Sequence, residues 1–514
     1  RLQKIYSNAL NKVMEMKKAV LIIAGGLFLV SLFVMSQLGR SFLPEFNEGS
    51  LVISAVSLPG ISLEESNKIG TQVEKALLSV PEIKITTRRT GRAELDEHAQ
   101  GVNAAEIDAP FTLEERSREE FMADVREKLA GVTGANITIG QPIGHRIDHM
   151  LSGTRANIAI KIFGTDLNKL FTLSNEIKAK IQNVEGLVDL SVEQQVEIPQ
   201  IQIKAKRDVL NQYGITIGQF NEFVDVAFAG EKVSEIYEGN KTFDLILRFD
   251  DANKGKIENI KNAMIDTHDG KKIPLYYVAD VVSTSGPNTI NRENVQRKTV
   301  VSANVSGRDQ KSVVADIQKI IDEQVKLPEE YHIEYGGQFE AEAEASKTLI
   351  LTSLISLLVI FLILYQEFKK VKTASIILLN LPLALIGGVF SIYFTSGILS
   401  IPAIIGFITL FGVATRNGIL LVSHYETLEK EGLSLYETVI QGSKDRLSPI
   451  LMTALTAGLA LIPLAIASDL PGNEIQSPMA KVILGGLLTS TLLNIFIVPV
   501  VYYLSNRKKV TNEK

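Results

Sequence analysis

Six long apolar runs dictate what this chain can fold into. A helix that crosses a bilayer needs about 20 mostly apolar residues. Residues 19–38 and 348–365 meet that requirement. Residues 373–415 carry no charge and are too long for one crossing. The Ser396–Gly397 and Ser400–Ile401–Pro402 cluster predicts a break there, giving helices over 374–394 and 402–424. Residues 447–468 and 482–504 supply a fifth and a sixth. Charge is dense between residues 40 and 347 and almost absent from these runs, whereas a soluble α protein mixes the two more evenly.

The flanking charges predict an orientation, because Lys and Arg collect in cytoplasmic loops. Arg1, Lys4, Lys12, Lys17 and Lys18 precede the first run. Lys369, Lys370 and Lys372 separate the second from the third, and Lys430, Lys444 and Arg446 the fourth from the fifth. Arg507, Lys508 and Lys509 follow the sixth. Loops 395–401 and 469–478 have neither Lys nor Arg, and the second holds Asp469 and Glu474. Both termini are thus expected in the cytoplasm and the long segment between the first two spans outside, in the periplasm of a Gram-negative cell. The first run is too long for a signal-peptide core and no small-residue cleavage site follows it, so it is expected to stay in the membrane. The opening Arg1 reads as that of a fragment or processed piece.

The chain of 514 residues has no Cys, which excludes disulfides and thiolate metal sites. A net charge of -5 gives no support for nucleic-acid binding.

The external segment alternates strands and helices. Residues 51–57 read as a strand, Pro59–Gly60 as a turn, and Ser62 with Glu65 as a capping box for a helix to about Leu78, followed by a strand over 83–88. The order returns at 158–163, 167–184 and 188–192, and again at 299–305, 311–324 and 332–335. Repeated units of this kind predict ferredoxin-like, split βαβ subdomains. Residues 195–285 break the pattern with β-rich runs and a helix over 217–229, and read as an insertion. The fold class expected is a membrane α-helical bundle of six transmembrane helices plus a large periplasmic α+β segment of ferredoxin-like βαβ subdomains. The divisions are 1–40 (cytoplasmic segment and first span), 41–155 (a porter-type subdomain), 156–194 with 286–346 (a second one), 195–285 (a docking-type insertion), 347–506 (five spans) and 507–514 (tail).

Several stretches together carry a family resemblance. They are Phe42–Leu43–Pro44–Glu45 through Asn47–Glu48–Gly49, Leu58–Pro59–Gly60, Thr90–Gly91–Arg92–Ala93–Glu94, Arg146–Ile147–Asp148, Gly164–Thr165–Asp166, Gly336–Gly337–Gln338, and Gly412–Val413–Ala414–Thr415–Arg416–Asn417–Gly418. In this order, on a plan of one span, a large external part and five spans, the chain resembles the C-terminal half of a resistance-nodulation-division (RND) transporter of the heavy-metal efflux, Czc/Cus-type subfamily within the AcrB/AcrD/AcrF superfamily. The resemblance implies a proton-driven pump rather than an enzyme, in the bacterial inner membrane, working as a homotrimer. It implies as partners the missing N-terminal half, a periplasmic adaptor (membrane fusion) protein, an outer-membrane channel and the lipid bilayer, and no cofactor beyond the transported divalent metal ion.

Arg416 sits inside an apolar helix, where a guanidinium costs roughly 3 kcal/mol or more. The six spans offer no acid at its depth, so its counter-charge is expected from elsewhere. The proton-carrying acids that the resemblance implies lie in the other half. Arg416 would hold them ionised until a proton arrives, with Asn417 hydrogen-bonded in the same network; a packing role for Arg416 is the alternative. Some copper-exporting relatives carry Glu at this place and Lys in the next span, where this chain has Ile450.

Zinc, cobalt and nickel favour imidazole and carboxylate, whereas monovalent copper favours sulfur. The external segment holds only Met122, Met150 and Met264, and the methionine ladder implied for copper-passing relatives falls on Ser54, Ala104 and a site near His149. Glu94, Asp96, Glu97 and His98 form an acidic cluster, which could equally be a solvated loop. Alternation over 102–108 puts Glu106 and Asp108 on one strand face. His145, Asp148 and His149 would share one face of a helix. Glu106, Asp108 and His149 are the leading ligand candidates, with His98, His145 and Asp148 behind them; Arg146 and Asp148 could instead form an ion pair. The resemblance places these regions beside the external substrate cleft. Alternatives are multidrug efflux, which would call for a wide Phe-rich pocket, a SecD/SecF-like export-assisting protein, and a non-transporting scaffold.

Overall fold

The computed structural model describes residues 2–44, 46–91, 100–113, 116–154, 156–194, 197–468 and 470–512. It has six helices long and apolar enough to cross a membrane: Lys17–Gln37, Gln338–Phe368, Val371–Tyr393, Ile401–Lys430, Leu435–Ile466 and Gln476–Arg507. The third, fourth and sixth form the interior, and the first, second and fifth leave most of their apolar surface exposed. Small residues let the inner helices touch. A Cβ on Gly387 would fall 2.0 Å from the Gly485 carbonyl, and one on Gly486 2.0 Å from Leu410.

Between the first two spans the chain builds a four-stranded antiparallel sheet from β1 (Ser50–Ser57), β2 (Thr87–Thr90), β3 (Ala104–Pro110) and β4 (Ala135–Gly140). Their spatial order is β2-β3-β1-β4. Helices α1 (Leu63–Leu78) and α2 (Arg118–Ala130) follow β1 and β3. Period-2 alternation sends Leu51, Ile53, Ala55, Ile107, Ala109 and Ile139 into a core with Val73 and Leu77 of α1 and Phe121, Val125 and Leu129 of α2. A capping box at Ser117 and Glu120 starts α2. The strand expected over 83–88 begins later. Ile83 makes one isolated bridge to Phe111, Ile85 points to solvent, and the ladder with β3 starts only at Thr87.

A short helix, α3 (Pro142–Ser152), leads to a second sheet. It contains β5 (Ile158–Phe163), β6 (Leu187–Val192), β7 (Gln296–Val305) and β8 (His332–Gly337), in the order β6-β7-β5-β8, with the two-residue strand Arg292–Glu293 also on β7. Helices α4 (Leu167–Ile181) and α5 (Gln310–Gln324) cover it. Strand order and helix placement repeat those of the first sheet.

A separate compact unit comprises Leu58–Ser62 and Gln194–Ile290. Its long ladder pairs Glu197–Ala205 with Ala279–Pro287. Leu210, Phe220, Ile265, Leu275 and Val278 form its core. The helix expected over 217–229 runs only from Ile217 to Val224, then widens into a π turn, Asp225–Ala229. Gly230 closes that turn by donating its N–H to the Asp225 carbonyl, at a φ of 98° that favours glycine. A hairpin of Glu231–Glu238 and Lys241–Leu247, exposed along its whole length, extends from this unit.

Candidate functional site

One face of the first sheet carries the helices, and the opposite face carries the polar candidates. Glu106 and Asp108 lie on that opposite face of β3, two residues apart, their side chains 13% and 36% exposed. Register places Arg89 of β2 opposite Glu106. Its Nη2 donates to Glu106 at 3.2 Å and to Asp108 at 3.0 Å. A cation approaching the two carboxylates therefore meets a guanidinium already bridging them.

The same face continues across the sheet, since Asp108, Val52 and Gly140 form one row. Two strand spacings, about 10 Å, separate its ends. At the far end the buried His145 packs so closely that a Cβ on Gly140 would sit 2.7 Å from its Nδ1. His145 belongs to α3, whose start is fixed by Glu48. The Glu48 carboxylate accepts the Ile143 N–H at 2.8 and 2.9 Å and the Gly144 N–H at 3.4 Å, satisfying donors that a helix start leaves open.

Asp148, one turn further along α3, is also buried. Burial pushes its carboxyl up to about 6, against the hydrogen bonds from Gln338 and Asn157 that favour the charged form. Gln338 Nε2 donates to it at 2.7 Å and Asn157 Nδ2 at 3.2 Å. The chain of contacts extends both ways. Gln310 donates to Gln338 at 3.2 Å, the Asn157 N–H donates to Asn304, and Asn304 donates to Asp189, which Arg126 holds. Gln338 is the first residue of the second span, so α3 is hydrogen-bonded to the root of a membrane helix. His98, with Glu94, Asp96 and Glu97, lies outside the described residues, as does the side chain of His149. Among the described residues no three His, Asp or Glu side chains gather closely enough to hold a metal ion.

In the membrane, Arg416 is exposed on the surface of the fourth span and pairs with no described acid. The two acids nearest in sequence are engaged elsewhere, Glu426 with Lys370 and Glu429 as acceptor from the Tyr502 hydroxyl. Asn417 is buried, and its Oδ1 has no hydrogen-bond partner among the described residues. Arg446 of the fifth span likewise has a buried Nε with no described partner. In the sequence Arg446 stands out only as a flanking charge. Glu48 and Gln338 lie within the stretches Asn47–Glu48–Gly49 and Gly336–Gly337–Gln338, which carry the resemblance but assign them no role, and Arg89 leaves no signal.

The model of the AcrB/AcrD/AcrF family matches residues 1–506. The chain belongs to that family. Its relatives place it on the heavy-metal efflux branch. It is 36% identical to protein HelA of Legionella pneumophila, over 98% of this chain and 49% of that protein. It is 33% identical to the cobalt-zinc-cadmium resistance protein CzcA of Cupriavidus metallidurans, over 98% of this chain and 48% of that one. The cation efflux system protein CusA of Escherichia coli is 29% identical over 98% of the chain. A crystal structure of a heavy metal efflux pump superposes with a TM-score of 0.81 at 26% identity, covering 98% of this chain and 52% of that one. The chain thus spans about half the length of the relatives it matches, and it is a multi-pass membrane protein of their kind.

Proposed function

We propose that the chain is the second half of a proton-driven inner-membrane pump that exports divalent metal cations of the zinc, cobalt, nickel and cadmium type by proton antiport. It would act in a homotrimer, with a periplasmic adaptor and an outer-membrane channel. The observation that carries the reading is the pair of carboxylates on the helix-free face of the first sheet. Glu106 and Asp108 stand two residues apart there, with the His145 imidazole at the far end of the same row, and carboxylate and imidazole suit borderline divalent cations better than monovalent copper. The order 4-1-3-2 of strands around two helices, found in both sheets, supports ferredoxin-like porter subdomains. Arg416 supports antiport, since a guanidinium at that depth calls for a carboxylate from another segment, and a carboxylate so held can take up and release a proton while the arginine stays charged.

The test is export by the complete transporter in metal-sensitive cells. The Glu106→Ala/Asp108→Ala double variant should lose most resistance to zinc, cobalt and nickel, and Arg416→Ala should abolish it. Full resistance in the first would remove the cation face; full resistance in the second would remove the coupling role.

A further inference from the structure

Asn380, Asn417 and Asn494 come from the third, fourth and sixth spans and are 0%, 1% and 1% exposed. The side-chain carbonyl of each has no hydrogen-bond partner among the described residues, and neither has the hydroxyl of Thr491, one turn before Asn494.

Packing register puts the three amides at one depth. The third and sixth spans run antiparallel. Ser391 donates to the Lys481 carbonyl, Gly387 meets Gly485, and Thr489 donates to the Leu383 carbonyl. One turn further along that register, Asn380 comes level with Asn494 within half a turn. The fourth and sixth spans run parallel, with Leu410 against Gly486, which carries Asn417 to the level of Asn494. Asn380 packs directly on Gly418, where a Cβ would fall 2.1 Å from its Nδ2.

Apolar side chains lie on either side of this level. One cluster contains Ala384, Leu410, Ala414 and Leu487. Another contains Ile377, Leu421, Ile495 and Val498. The bundle interior is therefore an apolar cluster, a layer of amides and a second apolar cluster, and the layer sits at the depth of Arg416.

An amide carbonyl with no donor is costly in hydrocarbon, where lipid offers none. What these oxygens lack is donors, and no described side chain supplies them. A small donor-rich species complements them, and water brings two donors. We propose that Asn380, Asn417 and Asn494 form an internal water site that hydrates the membrane interior at the depth of Arg416. Its functional part rests on the antiport reading: water here gives a proton a mobile carrier at the depth of the coupling arginine, and displacing it slows proton movement without touching the external metal face.

Hydroxyl-radical labelling of the complete transporter reads the site directly, because radicals generated in bound water mark the side chains around it. Labelling should appear at this level of the third, fourth and sixth spans and fade toward Leu410 and Leu487; labelling confined to the membrane surfaces would overturn the proposal. Asn380→Leu and Asn494→Leu give a second measure. Each should lower the thermal midpoint by several degrees and slow export about tenfold, with Asn494→Ser recovering most of the loss. A raised midpoint with unchanged export would show that the amides are dry and that apolar replacement relieves them. Should a leucine variant fail to fold, the labelling of the unaltered protein decides. Labelling at the layer in a pump that needs no proton gradient would keep the water site and discard antiport.

Discussion

Arg89 decides how Glu106 and Asp108 meet a cation. Its guanidinium bridges both, and because the ion pairs are partly open to water they add little stability. Their effect is competitive, since a metal must displace the arginine or share the carboxylates with it. Arg89→Gln should tighten zinc binding to the complete transporter at least about fivefold, read by titration calorimetry, because it removes a competing positive charge at close range. Unchanged affinity would mean that these carboxylates are not ligands. A second buried carboxyl predicts a pH effect. Glu193 accepts the Val300 N–H at 3.2 Å and the Asn291 amide. Burial pushes its carboxyl above the ordinary glutamate range, against the Val300 hydrogen bond and the nearby Lys298. Between the ordinary and the raised value the folded state binds more protons than the unfolded one, so this group's stability contribution is present at low pH and is lost as pH rises through the folded value. The thermal midpoint should therefore fall more steeply with pH, as pH rises above the ordinary glutamate range, in the unaltered protein than in Glu193→Gln. Parallel profiles would show that Glu193 titrates normally.

At the scale of elements, the junction of β8 and the second span is packed directly against backbone. Gly337 has a φ of 103°, and a Cβ there would lie 2.4 Å from the Asn157 carbonyl, the acceptor of the Gln338 N–H. Gly337→Ala should cost about 1–3 kcal/mol and lower the thermal midpoint, whereas alanine at Gly239, a hairpin glycine at a φ of 63° with open space around it, should cost less. Equal shifts would remove the special status of the joint. Much of this level was legible beforehand. The apolar runs marked six helices because hydrocarbon demands length, and the repeated strand, turn and helix order marked both sheets because alternation and amphipathicity are local. The sequence misplaced what depends on pairing partners. Ile83 and Ile85 look like a strand, but β3 offers a ladder only from Thr87 onward. Residues 225–229 look like the end of a helix, but Gly230 draws them into a π turn. The facing of Glu106 and Asp108 was readable from alternation; their shared arginine came from a register that local sequence does not encode.

On the scale of the whole molecule, charge and contact meet in one topology. The rule for Lys and Arg predicts that loops 395–401 and 469–478 lie on the same side as the large segment. The fold joins them physically, with Gly39–Ser41 pairing in parallel with Ile398–Ser400 and the Asn47 N–H donating to the Glu474 carboxylate at 3.0 Å. At the opposite end the basic segments meet one another. Lys370 pairs with Glu426, Lys372 contacts Asn506, Gln3 reaches the Lys444 carbonyl, and Tyr436 donates to Asn11. This chain contributes no cysteine of its own, so single thiols introduced into it report sidedness against the unaltered protein as control. In intact cells, Ser396→Cys should react with a membrane-impermeant maleimide that reaches only the outer side, while Glu431→Cys should react only after permeabilisation. The reverse pattern would invert the protein and put the acid-lined face of the first sheet in the cytoplasm, where it could gather cations but not release them outward.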